Sequence, residues 1–263
     1  MPEIAIVIAG FAVGLIVGLT GVGGGSLMTP ILIFFFGIKP YLAVGTDLLF
    51  AAVTKSGGTI SLARQRLVPW RIVGQLCLGS LPASATTLFV LHRLGPASPA
   101  VQSVMTSTLG VALLLTALAM FYKAARGRQP QRTIADADLA AATRARHAAL
   151  PVLFGAAIGT LVTLTSVGAG AIGVSVLMLL YPLLPLPRIV AADIAYAVPL
   201  TLLAGLGHAS LGSVDWSLLG LLLMGSLPGI WLGTRLMRHT PERLVRSLLS
   251  VLLAYAGVKL IAF

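Results

Sequence analysis

Acidic side chains are scarce in this chain, with seven Asp and Glu against eighteen Lys and Arg in 263 residues. Only two of them, Asp47 and Asp193, fall inside apolar stretches. A single cysteine, Cys77, excludes an internal disulfide and a thiolate metal cage. The chain lacks a nucleophile–base–acid set, a clustered His/Glu pattern and a P-loop lysine motif, which argues against an enzyme, a primary pump or a bound cofactor. Charged residues make up only 10% of the chain, so no soluble domain of useful size remains. What is present is 57% apolar with a mean hydropathy of +1.00, the composition of an all-α integral membrane protein. The net charge of +11 resides in short loops beside apolar segments. Membrane topology accounts for that placement, and nucleic-acid binding does not.

The chain also repeats itself. Val68-Pro-Trp-Arg-Ile-Val-Gly-Gln-Leu-Cys-Leu-Gly-Ser-Leu-Pro82 returns as Val214-Asp-Trp-Ser-Leu-Leu-Gly-Leu-Leu-Leu-Met-Gly-Ser-Leu-Pro228, 146 residues later, with eight of fifteen positions identical. Gly14 to Gly25 matches Gly159 to Gly170 at a spacing of 145. Duplicated halves, each with an early glycine break, point to a secondary transporter. The organisation is a first transmembrane repeat over 1–122, a cytoplasmic linker over 123–148 and a second repeat over 149–263. In the linker, Thr133-Ile-Ala-Asp136 reads as a capping box opening a short helix.

Ten apolar segments are expected: 4–19, 27–37, 42–63, 72–91 and 101–122, then 150–164, 171–186, 189–211, 218–236 and 244–263. The first follows Pro2-Glu3 with no basic region and no cleavage motif, so it reads as a membrane segment. The second of each half is shorter than the ~20 residues a spanning helix needs. Loop charges select the number of crossings. If all ten cross, 14 Lys and Arg share one side against Lys39, Arg93 and Lys259 on the other, with Lys55 inside a segment. If the first two segments of each half form one re-entrant unit, giving eight crossings, the split falls to 10 against 7. The positive-inside bias favours ten crossings, with both termini outside and the second five-helix repeat inverted relative to the first.

Within that frame, Thr20, Gly21, Gly23, Gly24, Gly25 and Ser26, with Thr165, Ser166, Gly168 and Gly170 in the second copy, mark two helix starts. Unpaired N–H groups and the positive end of a helix dipole there make an anion site. Asp47 and Asp193 stand 146 apart, at the repeat spacing. A carboxylate within a bilayer is costly unless paired, hydrated or protonated, so these two either carry protons or hold a broken helix in place. Lys55, eight residues after Asp47, shares its helical face and either neutralises it or meets a substrate anion; its repeat partner is Thr201. His208 and Cys77 read as structural, Trp70 and Trp216 as interfacial anchors, and Pro82 and Pro228 as kinks.

Gly21-Val-Gly-Gly-Gly25, Val44-Gly-Thr-Asp47, Ala204-Gly-Leu-Gly-His208, Val214-Asp-Trp216 and Gly225-Ser-Leu-Pro-Gly229 together resemble the TauE/SafE family of sulfite exporters, also called the four-toluene-sulfonate uptake permease family. The resemblance covers both halves. It implies a bacterial inner-membrane carrier of small sulfur-containing anions such as sulfite, sulfoacetate or related sulfonates. One departure is Ala191-Ala192, where a Gly-Thr pair is expected before the aspartate. With the cell interior negative, export of each unit of anionic charge gains about 2.3 kcal/mol per 100 mV, whereas uptake would need protons on Asp47 and Asp193. Alternating access, with the halves rocking around the two helix starts, is the expected mechanism. A channel built on the same anion site is the rival.

Overall fold

The computed structural model describes residues 2–20, 25–125, 149–236 and 242–261, all organised by helices. They form α1 (Pro2–Thr20), α2 (Gly25–Phe36), α3 (Pro40–Arg64), α4 (Trp70–Leu94), α5 (Pro99–Ala125), α6 (Ala149–Thr165), α7 (Ala171–Leu180), α8 (Leu186–Ser210), α9 (Trp216–Leu236) and α10 (Glu242–Ile261). No strand occurs among the described residues. In a bilayer, with no water to satisfy open backbone groups, β-branched runs such as those of α1 are driven into helix. The predicted capping box at Thr133–Asp136 lies outside the described residues.

Four stretches are long and apolar enough to cross a membrane unaided: Trp70–Leu94, Pro99–Phe121, Leu186–Ser210 and Trp216–Gly233. With 12 and 10 residues, α2 and α7 reach only about 18 and 15 Å. The expected segment 171–186 stops at Leu180 because Pro182 and Pro185 follow and disfavour helix in the residues before them. Helices α4 and α9 run on through Pro82 and Pro228. Leu78, Leu118, Phe121, Leu153, Val251 and Tyr255 are exposed on the outer helices, the surface that lipid would cover. Trp70 and Trp216, at the starts of α4 and α9, are 61% and 62% exposed, as interfacial anchors require.

Each half packs mainly on the other. Helix α1 lies along α9, α4 along α6, α3 across α8 and α5 against α10. Exchanging the halves turns the first pair into the second. Glycine seams make the two close pairs possible. A methyl group at Gly14 would overlap the Ser226 carbonyl, and one at Gly159 would overlap that of Ser80. Gly225 against Val7 is likewise repeated by Gly79 against Val152. Small residues that let backbones touch are the usual means of helix association in lipid.

These contacts also fix directions. Val7, Phe11 and Leu15 meet Gly225, Gly229 and Gly233 in order, so α1 and α9 run parallel. Leu76, Ser80 and Ser84 meet Gly155, Gly159 and Thr163 in order, so α4 and α6 run parallel too. By contrast, Leu49 packs on Gly205 and Ile194 on Gly58, so α3 and α8 are antiparallel. Both helices are central. Ala43 to Ala52 of α3 is buried without interruption, as is most of Ala191 to Ala197 of α8.

Candidate functional site

The ionisable groups lie on α3 and α8, which cross between the Leu49–Gly205 and Gly58–Ile194 contacts. Asp47 is N-terminal to the crossing on α3, and Asp193 is N-terminal to it on α8. Because the helices are antiparallel, the two carboxylates stand on opposite sides of the crossing. Lys55 lies beside it. All three are buried, with 0% of Asp47, 2% of Asp193 and 6% of Lys55 exposed. The Lys55 ammonium lies in the field of both carboxylates. Two helical turns, about 12 Å of rise, separate Lys55 from Asp47 along α3, whereas Asp193 adjoins Ile194, which packs on Gly58 less than one turn past Lys55.

The surroundings of the two aspartates differ. Thr29 of α2 donates its hydroxyl to Asp47 Oδ2. Ser166, in the break between α6 and α7, stands beside the same carboxyl. It stops short of a formed hydrogen bond: Ser166 Oγ and Asp47 Oδ1 both lack partners among the described residues. Asp193 is seated against Gly173 of α7, where any side chain would displace the carboxylate. The Tyr196 ring, one turn along α8, brings its hydroxyl to the same place.

The second break is resolved in detail. Ser166 N–H bonds the Val162 carbonyl at 2.7 Å and ends α6 with φ +60°. Gly168 and Gly170 follow at φ +128° and +131°, where only glycine sits without strain. Gly170 caps α7 without a side chain. The Thr165 hydroxyl bonds the Leu161 carbonyl at 2.6 Å and accepts the Val167 N–H at 3.1 Å, so it closes its own turn. In the first break, Gly21, Gly23 and Gly24 lie outside the described residues. Thr20 ends α1, Gly25 opens α2 and Ser26 falls in its first turn.

The Ala191-Ala192 departure has a structural explanation. Thr46 Oγ1 accepts the Asp215 N–H at 3.0 Å, tying α3 to the start of α9. The repeat equivalents are Ala192 and Pro69, and proline has no N–H to offer. The second half therefore has nothing for a hydroxyl at 192 to accept. His208 Nε2 lies 3.0 Å from the Thr163 carbonyl, a structural contact. Cys77 is half-buried.

Three participants went unnoticed in the sequence. Thr29 has a visible signal, because Ser175 stands 146 residues later in an equally short apolar helix. Tyr196 is three residues from Asp193, hence on its face, but its counterpart Phe50 lacks the hydroxyl. Gly173 is visible only once α7 and α8 are packed. A cavity of about 640 Å³ lies elsewhere, among α4, α5 and α6. Its walls, including Val90, Leu94, Val104 and Leu164, carry no charge, and the polar cluster is the stronger candidate.

A family profile described as "Sulfite exporter TauE/SafE" matches residues 6–260, nearly the whole chain. The chain belongs to the TauE/SafE sulfite exporter family. Among curated relatives, the probable membrane transporter protein YjnA of Bacillus subtilis (strain 168) is 35% identical over 261 residues, spanning 98% of this chain and 100% of its own length. The probable membrane transporter protein YunE of the same organism is 26% identical over 279 residues, spanning 99% and 98% of the two chains. No solved structure matches the chain. As a TauE/SafE protein it is a membrane transporter and not an enzyme. The cluster at the α3/α8 crossing is the candidate site of this transporter.

Proposed function

We propose that this TauE/SafE protein exports small sulfur-containing anions, sulfite or a sulfonate, across the bacterial inner membrane by alternating access. The chain crosses ten times as two inverted five-helix repeats, with both termini periplasmic and residues 123–148 cytoplasmic. The parallel α1/α9 and α4/α6 pairs support the inversion. When every segment crosses in turn, the first and fourth of one repeat run oppositely, so the first of one half parallels the fourth of the other only if the halves are inverted. The loop charges support the orientation, with 14 Lys and Arg on the assigned cytoplasmic side.

The observation that carries the reading is the placement of Ser166, from the break in the second half, against Asp47 and Thr29 of the first. A glycine-opened helix start, a lysine and two carboxylates are thereby gathered between the halves. That is where discontinuous helices hold solutes in carriers. Backbone donors at the two breaks (Thr20 to Ser26 and Thr165 to Gly170) orient the oxyanion, and Lys55 supplies the positive field. With the interior negative, the membrane potential favours exit of the anion.

The test is flux in proteoliposomes. Sulfite or sulfonate uptake is expected to saturate and to accelerate when unlabelled anion is loaded on the far side. Gly24→Leu and Asp47→Asn should each lower that flux at least about tenfold, by filling the helix start and by removing a buried charge. Flux that rises linearly with concentration and shows no exchange would establish a channel. Full flux in both variants would show that the site lies elsewhere.

A further inference from the structure

The charges at the α3/α8 crossing do not balance, and the imbalance falls on one residue. Two carboxylates share one ammonium, and the Ile194–Gly58 contact sets Asp193 at its end of the crossing while Asp47 lies two turns away along α3. Beyond that shared ammonium, Asp47 has hydroxyl neighbours: Thr29 on Oδ2 and Ser166 nearby, with Oδ1 unpartnered among the described residues. An anion entering beside Lys55 would add a second uncompensated charge to a water-poor interior, where each one costs several kcal/mol.

We infer that Asp47 is a proton-carrying site, and that one proton accompanies each anion through the carrier. This rests on the anion-transport reading above. The proton binds Oδ1 while Oδ2 keeps accepting the Thr29 hydroxyl. The cluster's net charge is then the same empty and unprotonated as it is with one proton and one monoanion bound. The protonated carboxyl also becomes a donor next to Ser166 and the opening of α7, on the anion's side.

No other ionisable group takes this role. Helices α2, α5 and α6 present no ionisable side chain along their described, α3-facing stretches. Helix α8 brings Asp193 and Tyr196, which face Gly173, and His208, which bonds Thr163. From α9 comes Asp215, whose Oδ1 accepts the Leu218 N–H at 2.9 Å and caps that helix. Cys77 of α4 lies towards Tyr196. For a monoanion, coupled movement is electrically neutral, so the anion and pH gradients, and not the membrane potential, set its direction. A dianion leaving with one proton still carries charge outward, so the membrane potential continues to drive its export.

Methanesulfonate separates the protein's proton from the substrate's, because a sulfonate stays ionised across the working pH range. Proteoliposomes of the full chain, with a trapped pH dye, are given a methanesulfonate gradient. The expected result is a pH change corresponding to about one proton per anion, as one uncompensated carboxylate requires. In Asp47→Asn the proton signal should vanish from whatever anion flux remains, and Asp47→Glu should restore it. Net wild-type methanesulfonate flux down its gradient with no proton movement overturns the inference and leaves the transport reading standing. So does a proton signal retained in Asp47→Asn. If neither methanesulfonate nor sulfite exchanges at all, both fall.

Discussion

The surroundings of Asp47 and Asp193 are the two copies of one design, and they have diverged more than the closest helix contacts have. Four glycine contacts recur at the repeat spacing: Gly14 on Ser226 and Gly159 on Ser80, Gly225 on Val7 and Gly79 on Val152. Around the carboxylates the copies part. Lys55 faces a Thr201 equivalent, Tyr196 a Phe50, Thr46 an Ala192 and Asp215 a Pro69. Where a glycine is kept in both copies, a side chain would overlap the facing backbone. The ionisable set is duplicated only in part: the carboxylate recurs, and the ammonium of Lys55 does not.

The largest effect should come from breaking a seam. Gly79→Leu or Gly225→Leu drives a side chain into the facing backbone and should cost at least about 3 kcal/mol, abolishing folded protein in either half alike. Gly74→Leu, whose position is open, should be nearly silent. Thermal unfolding in detergent measures all three. Unequal losses at 79 and 225 would break the equivalence of the scaffolds.

Lys55 sharpens the difference between the aspartates. Lys55→Met leaves a buried carboxylate without its cation, at a cost of about 3 kcal/mol or more. Adding Asp193→Asn should recover more of that loss than adding Asp47→Asn, because the contact of Ile194 with Gly58 sets Asp193 at the lysine's end of the crossing. Equal recovery from both would show the cation to be shared evenly.

The smallest effect tests the Thr46 tie. Thr46→Ala should cost about 1 kcal/mol by stranding the Asp215 N–H. Ala192→Thr should gain nothing, since Pro69 offers no donor. A stabilising Ala192→Thr would mean that its hydroxyl finds a partner elsewhere.

Much of this was legible before any coordinates. Loop arginines and the internal repeat located the helices to within a few residues, since lipid forces each apolar run into helix and leaves mainly its ends to be judged. Those ends moved outward where Trp70, Trp216 and Arg64 extend helices past their apolar cores, and inward by six residues where the segment expected to reach 186 stops at Leu180. Asp47, Asp193, Lys55 and Ser166 stood out as buried charge or as repeat positions. Which half each would face did not. The partner of Lys55 depends on how α3 crosses α8, and neither spacing nor hydropathy encodes a crossing. The Thr46–Asp215 bond, spanning 169 residues, is hidden for the same reason, although Pro69 announces its absence in the other half.

The glycine seams also decide what can move. Backbones in direct contact do not slide, so α1 travels with α9, and α4 with α6, in any rearrangement. Each such strut takes one helix from either half of the chain. A carrier stapled in this way cannot swing its first half as a block against its second. Its rigid bodies are mixed in ancestry, and α3 and α8 pass each other between them around Lys55.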